Sequence, residues 1–82
     1  MEVSTKMDFK ISYNRLIRAF KKMGFVEDYF NSDVVVLRKT RFPFERVVIP
    51  NIHDISVELI KLYLKDLGIT WEDFYSNFLQ EG

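Results

Sequence analysis

Tyr13, Leu16, Ile17, Phe20 and Met23 recur at helical spacing, with Arg15, Arg18, Lys21 and Lys22 on the opposite face. Apolar residues that return every three or four positions line one side of an α-helix. Ser12 stands where an N-cap accepts an orphan amide, and Gly24 where a left-handed residue ends the helix. The pattern then changes. Phe25–Phe30 reads as a short strand, and Asn31-Ser32-Asp33 as a turn cluster. Val34–Lys39 opens on three valines, whose branched side chains favour a pleated strand. Arg41-Phe42-Pro43-Phe44 interrupts it. Arg46–Ile49 is a third strand, and Pro50 ends it. Short links between successive strands predict an antiparallel meander.

Helical spacing returns after His53. Ser56 is the expected cap, and Ile55 and Ile60 occupy the two positions of a hydrophobic staple. Ile60, Tyr63, Leu64 and Leu67 form the expected buried stripe, which Gly68 stops. Thr70 caps a last short helix, with Asp73 three residues on and a second staple in Ile69 and Phe74. Trp71, Phe74, Tyr75, Phe78 and Leu79 follow at packing intervals. The predicted fold class is α+β: a two-layer α-β-β-β-α sandwich. Its three-stranded antiparallel sheet carries the helices on one face, with a short extra C-terminal helix. Residues 11–82 are expected to form a single domain. Residues 1–10 are a lead-in of mixed polarity, either frayed or an added edge strand, and Met7 is an alternative start.

Composition narrows the function. Eight Phe, four Tyr and one Trp among 82 residues supply large burial units, enough for a modest core. No apolar run approaches the ~20 residues of a membrane span, and no signal-peptide core opens the chain. With no Cys there is no disulfide framework and no thiolate site. The natural reading is a cytoplasmic protein without membrane association. Twelve basic and twelve acidic residues cancel. A dedicated nucleic-acid binder carries a basic excess, so RNA contact would have to rest on a local patch.

Two groups of cations are candidates for phosphate contact: Arg15, Arg18, Lys21 and Lys22 in the first helix, and Arg38, Lys39, Arg41 and Arg46 around the second and third strands. Their bland reading is a solvated helix face and charges that guard a sheet. Asp8, Glu27, Asp28, Asp33 and Glu45 would dilute the positive field. Phe42 and Phe44 flank a proline in a strand connection. One can cover the core edge while the other anchors a protein partner. His53 is the one histidine, a weak candidate for general acid–base work and more simply a loop residue. Glu72 and Asp73 suit the first turn of a helix. No metal-ligand spacing, glycine-rich phosphate loop or nucleophile constellation is present, so no cofactor and no metal is expected.

Three blocks lie in a shared order: Phe20-Lys21-Lys22-Met23-Gly24-Phe25, then Val48-Ile49-Pro50, then Ile60 through Gly68-Ile69-Thr70-Trp71-Glu72-Asp73-Phe74. Together they resemble the HicA toxin family, small RNA-cleaving partners of HicB antitoxins. The resemblance covers about Tyr13 to Phe78. It implies a double-stranded-RNA-binding-domain fold, a toxin–antitoxin role, and a HicB-like antitoxin or other small protein and RNA as partners. It also implies a catalytic Gly-Ser-His in the turn leading into the second strand. Here that stretch reads Ser32-Asp33-Val34, and Val34 transfers no proton. The expectation is a HicA-like domain that has lost its catalysis and acts by binding a protein or RNA. The alternatives are an active mRNA-cleaving toxin using His53, and an interaction module that shares only the fold.

Overall fold

Ser12, Ser56 and Thr70 begin the three α-helices in a computed structural model that describes residues 10–79. Helix α1 is Tyr13–Lys22, α2 is Val57–Leu67 and α3 is Trp71–Phe74; α3 runs on into a π-helical turn, Tyr75–Leu79. Each cap is extended, and its side-chain oxygen accepts an amide three residues on. The donors are Arg15 N–H at 3.3 Å, Leu59 N–H at 3.2 Å and Asp73 N–H at 3.1 Å. Such caps stabilise a helix by about 1 kcal/mol each. Gly24 follows α1 at φ 103° and Gly68 ends α2 at φ 76°, backbone conformations that strain any other residue.

The main sheet holds β2 (Phe25–Phe30), β3 (Val34–Lys39) and β4 (Arg46–Pro50), antiparallel with β3 in the middle. This is the expected meander with the helices on one face. Val35, Leu37, Val47 and Ile49 form the inner face and are buried under the helices. Pro50 is the last residue of β4 rather than the stop beyond it. Glu45 and Asn51 hydrogen-bond back toward β3, so by alternation Pro50 points its missing amide at the free edge. That blunts the edge against pairing.

A second, smaller ladder lies apart from the meander, and the edge-strand alternative for residues 1–10 reaches it only at Lys10. β1 (Lys10–Ser12) pairs antiparallel with β5 (Asp54–Ser56), Ile11 opposite Ile55. Both strands end in a capping serine whose extended backbone, at ψ 148° and 145°, is already strand-like. The ladder therefore pins the starts of α1 and α2 together. The tentative lead-in 1–10 otherwise lies outside the described residues; Lys10 itself pairs with Ser56.

The core is apolar throughout, with no buried polar or charged side chain among the described residues. Phe20 joins its layers. Its ring meets Phe25 edge-on at 5.4 Å, Phe74 at 5.4 Å and Tyr63 at 6.5 Å, linking α1 to β2, α3 and α2. The two helical stripes are shifted slightly from expectation. Ala19 and Val57 are buried, while Tyr13, Met23, Tyr63 and Leu67 are only partly so. Phe20→Ala should cost about 3–5 kcal/mol of stability by urea unfolding, because four elements lose one shared ring. A loss under ~1 kcal/mol would mean that the layers are held elsewhere.

Candidate interaction surface

Among the described residues no helix covers the sheet's outer face. Register brings Val26, Arg38 and Arg46 into one cross-strand row, and Tyr29, Val36 and Val48 into the next. Val26, Tyr29 and Val48 are exposed. A register shift between Glu27 and Tyr29 makes Asp28 the extra residue of a β-bulge. Asp28 thereby reaches both arginines of the first row. Arg38 Nε donates to its carboxylate at 3.1 Å, and Arg46 Nη2 lies 3.5 Å from it.

One end of this face is the Thr40–Glu45 connection. Phe42 is 85% exposed and Phe44 64% exposed, and their rings meet edge-to-face at 6.1 Å. The expectation that one ring would cover the core edge is corrected: neither does. The core is already closed at this point. Lys39 lies over the Phe25 ring, 5.7 Å from its centroid, and pairs with Glu45 at 3.6 Å. The Phe42–Pro43 peptide is cis.

The candidate phosphate contacts do not form a single surface. Arg38 and Arg46 stand on the outer face, and α1 packs on the other side of the sheet. Arg15 Nη2 donates to the Leu79 carbonyl at 3.3 Å, tying α1 to the C-terminal turn. Lys21 pairs with Glu27 at 3.1 Å. Arg18 is exposed on α1, and Lys22 and Arg41 line one cleft with Lys39. Several expected phosphate contacts thus already hold carboxylates or a carbonyl. Sequence reading named the diluting acids but not the pairings, because the bulge that aims Asp28 leaves no mark in residue type.

The turn where the resemblance calls for histidine is built by Asn31. Its Oδ1 accepts the Asp33 N–H at 2.7 Å and the Val34 N–H at 2.9 Å. Asn51 Nδ2 donates to the Ser32 carbonyl at 3.3 Å. Val34 follows, partly buried opposite Pro50. His53 is exposed beside the start of α1. Its carbonyl accepts the Tyr13 N–H at 3.0 Å, and its residue lines a cleft of about 310 Å³ with Ser12, Tyr13, Asn14, Asn51 and Ile52. Burial raises the phenol pKa of Tyr63; burial and then the nearby Glu27 charge raise that of Tyr13. Among the described residues no group of three His, Cys, Asp or Glu is placed to hold a metal, and no helix is long and apolar enough to cross a membrane.

No family model matches the sequence, and neither a curated protein nor a solved structure matches the chain.

Replacing Asp28 tests the outer-face triad. Asp28→Asn should lower stability by less than about 1 kcal/mol, since the pairs are partly solvated. It should also delay elution from heparin to higher salt as Arg38 and Arg46 lose their counter-charge. Unchanged heparin retention would mean that the two arginines do not face solvent as a pair.

Proposed function

We propose that this chain is a HicA-like domain of toxin–antitoxin type that acts by binding a small protein partner without cutting RNA. The observation that carries the reading is the exposed aromatic tip, Phe42 and Phe44, continuous with an uncovered sheet face. Large aromatic side chains held in solvent by a hairpin are the usual anchors of protein interfaces. The adjoining face sets the charged trio Asp28, Arg38 and Arg46 between the aromatic tip and the exposed Tyr29 and Val48, with Val26 beside Arg38, a mix of apolar and charged groups that an interface can use. The α-β-β-β-α order supports the family resemblance, and the Val34 position supports the loss of its catalysis.

One observation favours a second reading, mRNA cleavage with His53 as the acid–base group. His53 lines a cleft of about 310 Å³ with Tyr13, Asn14 and Asn51, whose side chains can hydrogen-bond a nucleotide. It would need a partner that orients the imidazole, and the cleft offers Asn51 and Tyr13 rather than a carboxylate.

Bacterial expression separates the two. Binding without cleavage predicts normal growth and intact messenger RNA at high expression, identical in His53→Ala. It also predicts co-purification of the protein encoded beside this reading frame. That capture should weaken at least ~30-fold in the Phe42→Ala, Phe44→Ala double variant, about 2 kcal/mol for two interface anchors. Growth arrest relieved by His53→Ala would establish the nuclease instead, and capture indifferent to both phenylalanines would remove the tip from the interface.

A further inference from the structure

The cleft beside the start of α1 is lined by Ser12, Tyr13, Asn14, Asn51, Ile52 and His53. With His53 neutral, none of these side chains is charged, in a chain that is 29% charged. An anion held there would meet no counter-charge among these lining residues, so the lining suits a neutral polar ligand. Main-chain bonds fix its walls. The Tyr13 N–H donates to the His53 carbonyl at 3.0 Å, and Ser12 pairs with Asp54 in the small ladder. The Asn51 N–H donates to the Asp33 carbonyl at 2.8 Å, which ties the second wall to the β2–β3 turn. A site held in this way is ordered before a ligand arrives, which lowers the cost of binding.

Its two amide side chains set the chemistry. Asn51 Nδ2 donates to the Ser32 carbonyl at 3.3 Å. A carbonyl only accepts, so the amide nitrogen is the atom engaged and Oδ1 remains as an acceptor. The Asn14 side chain makes no hydrogen bond among the described residues and offers both a donor and an acceptor. The unmet groups are therefore two amide oxygens that need N–H donors and one amide nitrogen that needs an acceptor. An exocyclic amino group next to a ring-nitrogen lone pair matches them. Adenine carries that pair as its N6 amino group and N7, an edge that asparagine reads with two hydrogen bonds. Guanine and uracil present a carbonyl oxygen in place of the amino group, which would set acceptor against acceptor. Cytosine has the amino group on a smaller ring. The larger purine covers more of Ile52, which is 50% exposed, and of the Tyr13 and His53 rings.

We propose that this cleft binds an adenine base, its amino group between the Asn14 and Asn51 oxygens and its N7 on the Asn14 amide nitrogen. A free nucleoside and an unpaired adenine in a nucleic-acid strand offer the same edge. The site goes beyond partner binding at the Phe42–Phe44 tip. It also holds whether or not His53 cleaves RNA, because binding transfers no proton.

The test is amide NMR on the full ¹⁵N-labelled chain, titrated separately with adenosine, inosine, cytidine and an adenylate RNA hexamer. Adenosine should shift the Tyr13, Asn14 and Ile52 amides saturably. Inosine, with a carbonyl in place of the amino group, should bind at least about tenfold more weakly, and cytidine should also be weaker. Asn14→Ala, a change at an exposed position, should bring adenosine down to the level of inosine while the rest of the spectrum is kept. The Phe42→Ala, Phe44→Ala double variant should bind adenosine like the parent even where it loses partner capture, so either proposal can fail alone. A hexamer that binds the same amides more tightly than adenosine identifies a strand as the source; a weaker one identifies the free nucleoside. Either supports the site. It is overturned by no saturable shift with adenosine or hexamer, by inosine or cytidine binding as tightly as adenosine, or by a preference that survives Asn14→Ala. Loss of adenosine binding in the double phenylalanine variant would overturn it too, since the base would then lie at the tip.

Discussion

Phe20 is the residue on which the arrangement turns. Its fully buried ring touches Phe25 of the sheet, Tyr63 of α2 and Phe74 of α3. Every helix is thereby drawn to one side of a three-stranded sheet. An antiparallel sheet can leave its other face in water, and among the described residues Val26, Tyr29 and Val48 are exposed there. The β1–β5 ladder completes the constraint by fixing where α1 and α2 start. The open face and the hairpin tip are thus consequences of a one-sided core.

Electrostatics then divides the exposed surface. The bulge at Asp28 sets one carboxylate between Arg38 and Arg46, which quiets the charge of the outer face. Lys21 and Arg15 are likewise tied within the fold. Lys22, Lys39 and Arg41 line one cleft at the end of α1, with Lys39 paired to Glu45. A face of exposed apolar side chains with a partly neutralised charged trio suits a protein partner.

Much of this was legible in the order of residues. Ser12, Ser56 and Thr70 announced three helix starts because a hydroxyl before a periodic apolar run has one strong local use, and all three accept the expected amides. The valines of β3 and the break at Phe42-Pro43-Phe44 gave the meander. Other features had no sequence signature. β1 and β5 are three residues each, too short to display a period. The bulge contains no glycine, so nothing marked Asp28 as the residue that would reach two strands. The cleft joins residues 22–24 to 39–42, whose proximity exists only once β2 and β3 have paired. Phe42 and Phe44 were recognisable as unusual, but their common exposure depended on Lys39 and Glu45 closing the core beneath them.

The proposed working surface is the outer sheet face and its aromatic tip. The most direct measurement is hydrogen–deuterium exchange of the chain alone and saturated with a protein captured in the co-purification test. The account predicts new protection in the Thr40–Glu45 connection and along β4, with the His53 loop and α2 unchanged. Protection confined to the cleft around Tyr13, Asn51 and His53, with β4 exchanging as before, would contradict it.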